Sequence, residues 1–239
     1  MPDTRPPARR PKSQAGGPPA SSTPLPPARL YVLAGPNGAG KSSIAGAMFR
    51  QRGADYFNPD EAARTIREAH PGWSQTQANS AAWQQGKRLL EEAIAKRLDF
   101  AMETTLGGRS IVALLQDAAT LGFEVRIWFV ALDSPQAHID RVRSRVAHGG
   151  HDIPEADIRR RYDASRLNLV KLMPDLAELR VYDNSAPADP KAGQRPRPQL
   201  VLHMEHGAVV APSDLRNTPA WAKPIVGAAL KMLLGQPAP

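Results

Sequence analysis

The chain has 239 residues, with 31 Lys and Arg against 23 Asp and Glu (net charge +8), 41% apolar residues and no cysteine. That length supports one domain with a sizeable core, and the lack of cysteine excludes a disulfide scaffold, a Cys-ligated zinc or iron–sulfur site and a thiol nucleophile. The longest apolar runs, such as residues 125–132, fall well short of the roughly 20 a membrane helix needs, so a soluble cytoplasmic protein with no membrane partner is expected.

Residues 1–28 are expected to be a disordered tail. Nine of the 24 prolines fall there among Arg5, Arg9, Arg10 and Lys12, with almost no apolar surface to offset the entropy of ordering. The tail lacks the apolar run of a secretory signal, and its prolines forbid the amphipathic helix of a transit peptide. With Arg29 it carries five cations and one acid, Asp3, which is half of the +8. The folded part is therefore only mildly basic, which weakens a nucleic-acid role argued from charge.

From Arg29 onward, short apolar runs alternate with helical patterns, as in a parallel α/β sheet. The first strand covers 30–34, and a helix from Lys41 to about Arg52 ends at Gly53 as its cap. Residues 54–57 form a weaker strand. Asn58-Pro59-Asp60-Glu61 then starts a helix by capping, which stops at His70-Pro71-Gly72. Ser74 and Gln77 open another that runs to Leu98. The third strand is 100–104, and Ser110 caps a helix ending near Gly122. The fourth, 125–132, is the most apolar and is expected to be central. Ser134-Pro135 opens a helix that breaks at His148-Gly149-Gly150-His151, and another runs from about Pro154 to before Pro174. A fifth strand follows at 179–182. The prolines of 187–198 mark a linker, beyond which 200–204 and 208–210 form a hairpin and 221–234 a last helix. The expected fold is a five-stranded parallel P-loop kinase sheet, residues 29–186, with helices on both faces. A small C-terminal hairpin and helix, 199–239, pack on the same domain.

Gly35-Pro36-Asn37-Gly38-Ala39-Gly40-Lys41-Ser42 matches the phosphate-binding pattern G-x-x-x-x-G-K-[ST] in full, directly after a strand and opening a helix. The glycines let backbone N–H groups turn inward toward a phosphate, and the helix N-terminus adds partial positive charge. Lys41 can reach the β- and γ-phosphates of ATP, and the Ser42 hydroxyl can ligand Mg²⁺.

Three acidic positions lie where ligands sit in such sheets, at the carboxyl ends of strands. Asp60 is the candidate base for an attacking hydroxyl, although an Asp in a first helical turn is equally explained by the helix dipole. Glu103, in an otherwise apolar strand, could hold Mg²⁺ or bind substrate, with Thr104 beside it. Asp133 is better explained as a helix cap. Arg141 and Arg145 share one helix face, and Arg159, Arg160 and Arg161 open the next helix. Together they predict a lid over the triphosphate, against the plainer alternative of a solvated basic surface. His148 and His151 lack ligand-spaced acidic or Cys partners, so they are expected near phosphate rather than on a metal.

These residues together resemble the zeta toxin family of P-loop kinases, in its compact bacterial branch. The matching pieces are 35–43, Phe57-Asn58-Pro59-Asp60, Glu103-Thr104-Thr105-Leu106, Arg141 to Pro154, Arg161-Tyr162 and Val181-Tyr182-Asp183-Asn184-Ser185. The resemblance implies transfer of the ATP γ-phosphate to the 3′-hydroxyl of UDP-N-acetylglucosamine by a toxin that a small antitoxin protein silences. It implies Lys41 on the phosphates, Asp60 as base, and Glu103 and Thr104 at the sugar-nucleotide site. Arg145 and Arg161 would stabilise the transferring group, with Arg141 behind them. Loop residues 35–43, Ser43 included, would hold the nucleotide, and Asn184 would lie on the adenine side. A kinase for another small metabolite stays open. So does a P-loop ATPase switch on nucleic acid or a protein, which predicts hydrolysis stimulated by nucleic acid and steep salt dependence.

Overall fold

The computed structural model describes residues 26–42, 56–186 and 197–235. The expected N-terminal tail, the first helix beyond Ser42 with its Gly53 cap, residues 54–55, Ser43 and most of the Pro-rich linker lie outside them.

The strands are β1 (Arg29–Ala34), β2 (Tyr56–Phe57), β3 (Phe100–Thr104), β4 (Glu124–Ala131), β5 (Glu178–Asp183), β6 (Gln199–Glu205) and β7 (Ala208–Ala211). The helices are α1 (Pro59–Ala69), α2 (Gln75–Lys96), α3 (Arg109–Thr120), α4 (Pro135–Ala147), α5 (Glu155–Leu172) and α6 (Lys223–Leu233). One sheet runs β2-β3-β1-β4-β5-β6-β7. Its first five strands are parallel, as expected, and β4 is central. The C-terminal hairpin is more than an appendage, because β6 pairs antiparallel with β5 and β7 with β6. This covers the edge that β5 would otherwise leave open.

Alternation along the strands sends Leu30 and Val32 of β1 and Val125, Ile127 and Phe129 of β4 into one layer. Leu115 of α3, Leu169 of α5 and Ile225 of α6 close over them. The last of these contacts makes the C-terminal helix part of the main core. At the amino ends of the strands, the buried Glu178 carboxylate accepts from Arg126 (2.8 Å) and from the Trp128 indole (3.4 Å), so charge pairing reinforces the β4–β5 register.

The helix starts follow the sequence chemistry. Asn58 Oδ1 accepts from the amides of Asp60 (2.9 Å) and Glu61 (3.3 Å), and Ser74 and Gln77 complete a reciprocal capping box. Two expected caps are corrected. Gly108 precedes α3, and Ser110 falls inside its first turn, because Gly108 holds the extended backbone that a cap position requires. Ser134 rather than Asp133 caps α4, through Oγ accepting from the Ala137 amide. Phe57 lies against α2 at Gly86, where a Cβ would come 2.4 Å from its ring. That close approach seats the strand end leading into Asn58 and Asp60.

Candidate active site

The carboxyl ends of β1, β3 and β4 bring the candidate residues to one edge of the sheet. The loop after β1 curls tightly. A Cβ at Gly35 would lie 2.0 Å from the Val130 carbonyl, and one at Gly40, at φ +81°, would lie 2.7 Å from Asn184 Nδ2. Neither position could carry a side chain without opening the loop. Lys41 and Ser42 begin the helix that follows.

The Lys41 ammonium donates to the carbonyls of Gly35 (2.8 Å) and Pro36 (3.1 Å) and lies 3.4 Å from Glu103 Oε1. Both side chains of that pair are over nine-tenths buried. Glu103 Oε2 accepts from Ser42 Oγ at 2.9 Å and from the Tyr56 hydroxyl. The β1–β3 register places Glu103 opposite Leu33, one residue before the strand ends, so that its carboxylate reaches the loop. Tyr56, on the edge strand β2, is not identifiable from sequence pattern. Burial, followed by the Glu103 charge, pushes its phenol pKa well above the ordinary value, so it stays a donor. Thr104 Oγ1 accepts from the Leu106 amide at 3.1 Å, which shapes the turn out of β3.

Asp60 stands at the second residue of α1 with its side chain 60% exposed, and Arg145 Nη1 lies 4.0 Å from its Oδ2. The three arginines expected to form a lid do separate things. Arg145 faces Asp60, Arg161 Nη1 donates to Asn37 Oδ1 of the glycine loop at 2.8 Å, and Arg141 Nη2 donates to the Asn184 carbonyl at 2.6 Å. Asn184 is buried and donates from Nδ2 to the Ala39 carbonyl at 2.9 Å, tying the end of β5 to the loop. Of the two loop histidines, His151 joins this region through Asn79 (3.2 Å). His148 ends α4 with its ring on the Ser144 carbonyl (2.7 Å).

His138, on α4, was not singled out by sequence pattern, since a lone His on an amphipathic helix carries no signal. It is fully buried. The Leu132 amide donates to its Nε2 at 3.1 Å, so the ring proton sits on Nδ1 and is donated to the Asn37 carbonyl, 2.7 Å away. The neutral ring thus buttresses the phosphate loop. Burial pushes its pKa down to about 4, with Lys41, Arg141 and Arg166 acting the same way and the Asn37 bond opposing. A depressed histidine pKa means the unfolded chain binds the extra proton first. Stability is therefore complete above about pH 6.5 and is lost as pH falls toward 4. The loss attributable to His138 should reach roughly 2 kcal/mol by pH 5. Urea unfolding at pH 7 and pH 5 checks this, because His138→Gln should flatten that part of the pH dependence.

The oxygen donors of Ser42 and Glu103, 2.9 Å apart beside the loop, suit a hard cation such as Mg²⁺. A second group, Glu178, His203 and Glu205, has ligand atoms within 4.8 Å of one another, but it lies at the opposite end of the strands and Glu178 is already paired with Arg126 and Arg180. Among the described residues no helix is long and apolar enough to cross a membrane.

Residues 19–188 match the sequence model of the family described as Zeta toxin. A Haemophilus influenzae (strain Rd) protein described as uncharacterized is 30% identical over 135 residues, covering 56% of this chain and 92% of that one. Among solved structures, the AvrRxo1-ORF1:AvrRxo1-ORF2 complex with sulphate ions matches with a TM-score of 0.59 at 15% identity, over 77% of this chain and 61% of that chain. The form with ATP matches equally well, at 16% identity. This chain thus spans about six-tenths of those chains. The PezAT chromosomal toxin–antitoxin system of Streptococcus pneumoniae matches with a TM-score of 0.50 at 13% identity, over 91% of this chain and 90% of that one. At such identities the structural matches establish the shared fold.

Proposed function

Because this chain belongs to the zeta toxin family of P-loop kinases, we propose that it transfers the γ-phosphate of ATP to the 3′-hydroxyl of UDP-N-acetylglucosamine. One observation carries the reading of transfer rather than hydrolysis: the lid holds Arg161 on Asn37 of the phosphate loop and Arg145 on Asp60. The two helices carrying these arginines therefore face the donor side and a candidate base together, as phosphoryl transfer to an alcohol requires.

Loop residues Gly35 to Ser42 cradle the phosphates, with Ser43 following, and Asn184 lies toward the base of the nucleotide. Lys41 exchanges its carbonyl partners and Glu103 for the β- and γ-phosphates. Ser42 and Glu103 would hold Mg²⁺, which would supply charge neutralisation on the phosphate oxygens. Asp60 accepts the proton of the acceptor hydroxyl. The acceptor oxygen then bonds to the γ-phosphorus as the bond to the ADP oxygen breaks, giving ADP, the phosphorylated acceptor and one proton. Arg145 and Arg161 neutralise the charge spread over the moving group, and Arg141 steadies the lid behind them. Glu103 and Thr104 border the acceptor. An antitoxin protein is the expected partner, in line with the toxin–antitoxin description of the PezAT relative.

Mass spectrometry of the protein with ATP, Mg²⁺ and a panel of sugar nucleotides, nucleosides and cell extract tests the proposal. The expected product is UDP-N-acetylglucosamine heavier by one phosphoryl group, about 80 Da. Phosphorylation of another metabolite replaces the acceptor. Formation of ADP with no phosphorylated product overturns the transfer reading in favour of an ATPase.

A further inference from the structure

A hydrogen-bond chain whose direction is dictated by chemistry ties the lid to the α1–α2 hairpin. Arg67 Nη1 donates to Gln75 Oε1, Gln75 Nε2 donates to Asn79 Oδ1 at 2.9 Å, and Asn79 Nδ2 lies 3.2 Å from His151 Nε2. A guanidinium has no acceptor, so Gln75 must turn its oxygen to Arg67 and its NH₂ to Asn79. Asn79 must then turn its oxygen to Gln75 and its NH₂ to His151. That leaves His151 Nε2 as an acceptor, with the ring proton on Nδ1 and the imidazole neutral.

The lid end of this chain reaches the site. The His151 carbonyl accepts from Arg145 Nη2 at 2.8 Å, and Nη1 of the same guanidinium is the atom 4.0 Å from Asp60 Oδ2. We infer that Asn79 and His151 form a latch that positions Arg145 against Asp60, and that the latch holds only while His151 is neutral. Its relevance to turnover rests on the transfer reaction proposed above.

Protonating His151 would set N–H against N–H. Flipping Asn79 moves the clash to Gln75, and flipping Gln75 moves it to Arg67, which has no acceptor to offer. One bond of the chain is lost in every arrangement. The charged groups facing the ring are Asp60 and Arg67 on α1, Arg145 on α4 and Asp152 in its own turn. Burial, the largest influence, holds its pKa below the ordinary value. Arg145 and Arg67 act the same way, while Asp60 and Asp152 oppose. The latch is therefore closed at neutral pH and opens as pH falls.

Asn79→Asp reverses the sign. A carboxylate accepts from Gln75 and from a protonated His151 alike, so the imidazolium is stabilised and the latch tightens on acidification. Histidine-selective NMR of the full chain reads this directly, with His151→Gln identifying the signal among the six histidines. The expected result is a His151 titration midpoint at least about one pH unit higher in Asn79→Asp than in the wild type. Equal midpoints overturn the latch.

Kinetics test the positioning role. Asn79→Leu, which severs the chain at every pH, should lower kcat roughly ten- to a hundredfold with KM for ATP unchanged. Wild-type kcat should fall with the His151 titration, while Asn79→Asp keeps its own value over that range. Wild-type kinetics in Asn79→Leu overturn the positioning role. If the wild type phosphorylates no acceptor, the transfer reading falls, and the NMR titration still decides the latch.

Discussion

Asp60→Asn should lower phosphate transfer roughly 10²- to 10⁴-fold while leaving ATP affinity within about twofold, the range expected when a general base is removed. The substitution is isosteric, and α1 is capped by Asn58, whose side chain bonds the backbone amide of residue 60 rather than its carboxylate. Helix α1 should therefore stay intact, with only the loss of a favourable charge–dipole term of about 0.3–1 kcal/mol. The pairing with Arg145 spans 4.0 Å between well-exposed side chains and adds little to stability. A large fall in turnover beside only this small fall in unfolding free energy would thus report chemistry. Rapid-quench measurement of single-turnover transfer, with fluorescent-nucleotide titration for affinity, separates the two. Near-normal turnover in Asp60→Asn would show that another group accepts the proton.

Lys41→Ala should abolish measurable transfer, a loss of at least about 10³-fold, because no other group can bring a compact charge onto the phosphates from within the loop. It should also destabilise the protein. The variant strands the buried Glu103 carboxylate, and breaking a buried pair from one side costs about 3–5 kcal/mol. Activity loss in the single variant therefore mixes folding with chemistry. The double variant Lys41→Met with Glu103→Gln removes both charges. Its carboxamide can still accept from Ser42 and Tyr56, whose hydroxyls bond Glu103 in the wild type. Most of the stability should return and none of the transfer. Recovery of transfer in that double variant would remove Lys41 from the chemistry, and unfolding curves alongside the assay show which loss is which.

The legible parts of this protein are those whose chemistry is contiguous. The phosphate loop could be read because a strand, glycines at fixed spacing and a Lys-Ser helix start all lie within about a dozen residues. The approach to Asp60 could be read because Asn58 and Pro59 are helix-start chemistry. Arg145 and Arg161 stood out as part of a basic lid, but sequence could not show that one faces Asp60 and the other Asn37. That division depends on how α4 and α5 lean over the loop, which helical periodicity does not encode. His138 and Tyr56 carried no signal, since a buried histidine on a helix and a tyrosine in an edge strand are each ordinary core residues.

Sequence alone determined the alternation of strands and helices, the loop after β1 and the family resemblance, because local propensity and short-range spacing act within single elements. Tertiary structure decided the partners. Parallel pairing brings Glu103 to Ser42 across 61 residues, and α4 and α5 bring His138 and Arg161 to Asn37 across 101 and 124. It also decided which end of Gln75 and Asn79 faces His151, since a donor-only guanidinium at one end of a chain of amides sets every orientation after it. No periodicity could carry that information, because it arises only once distant segments share a hydrogen bond.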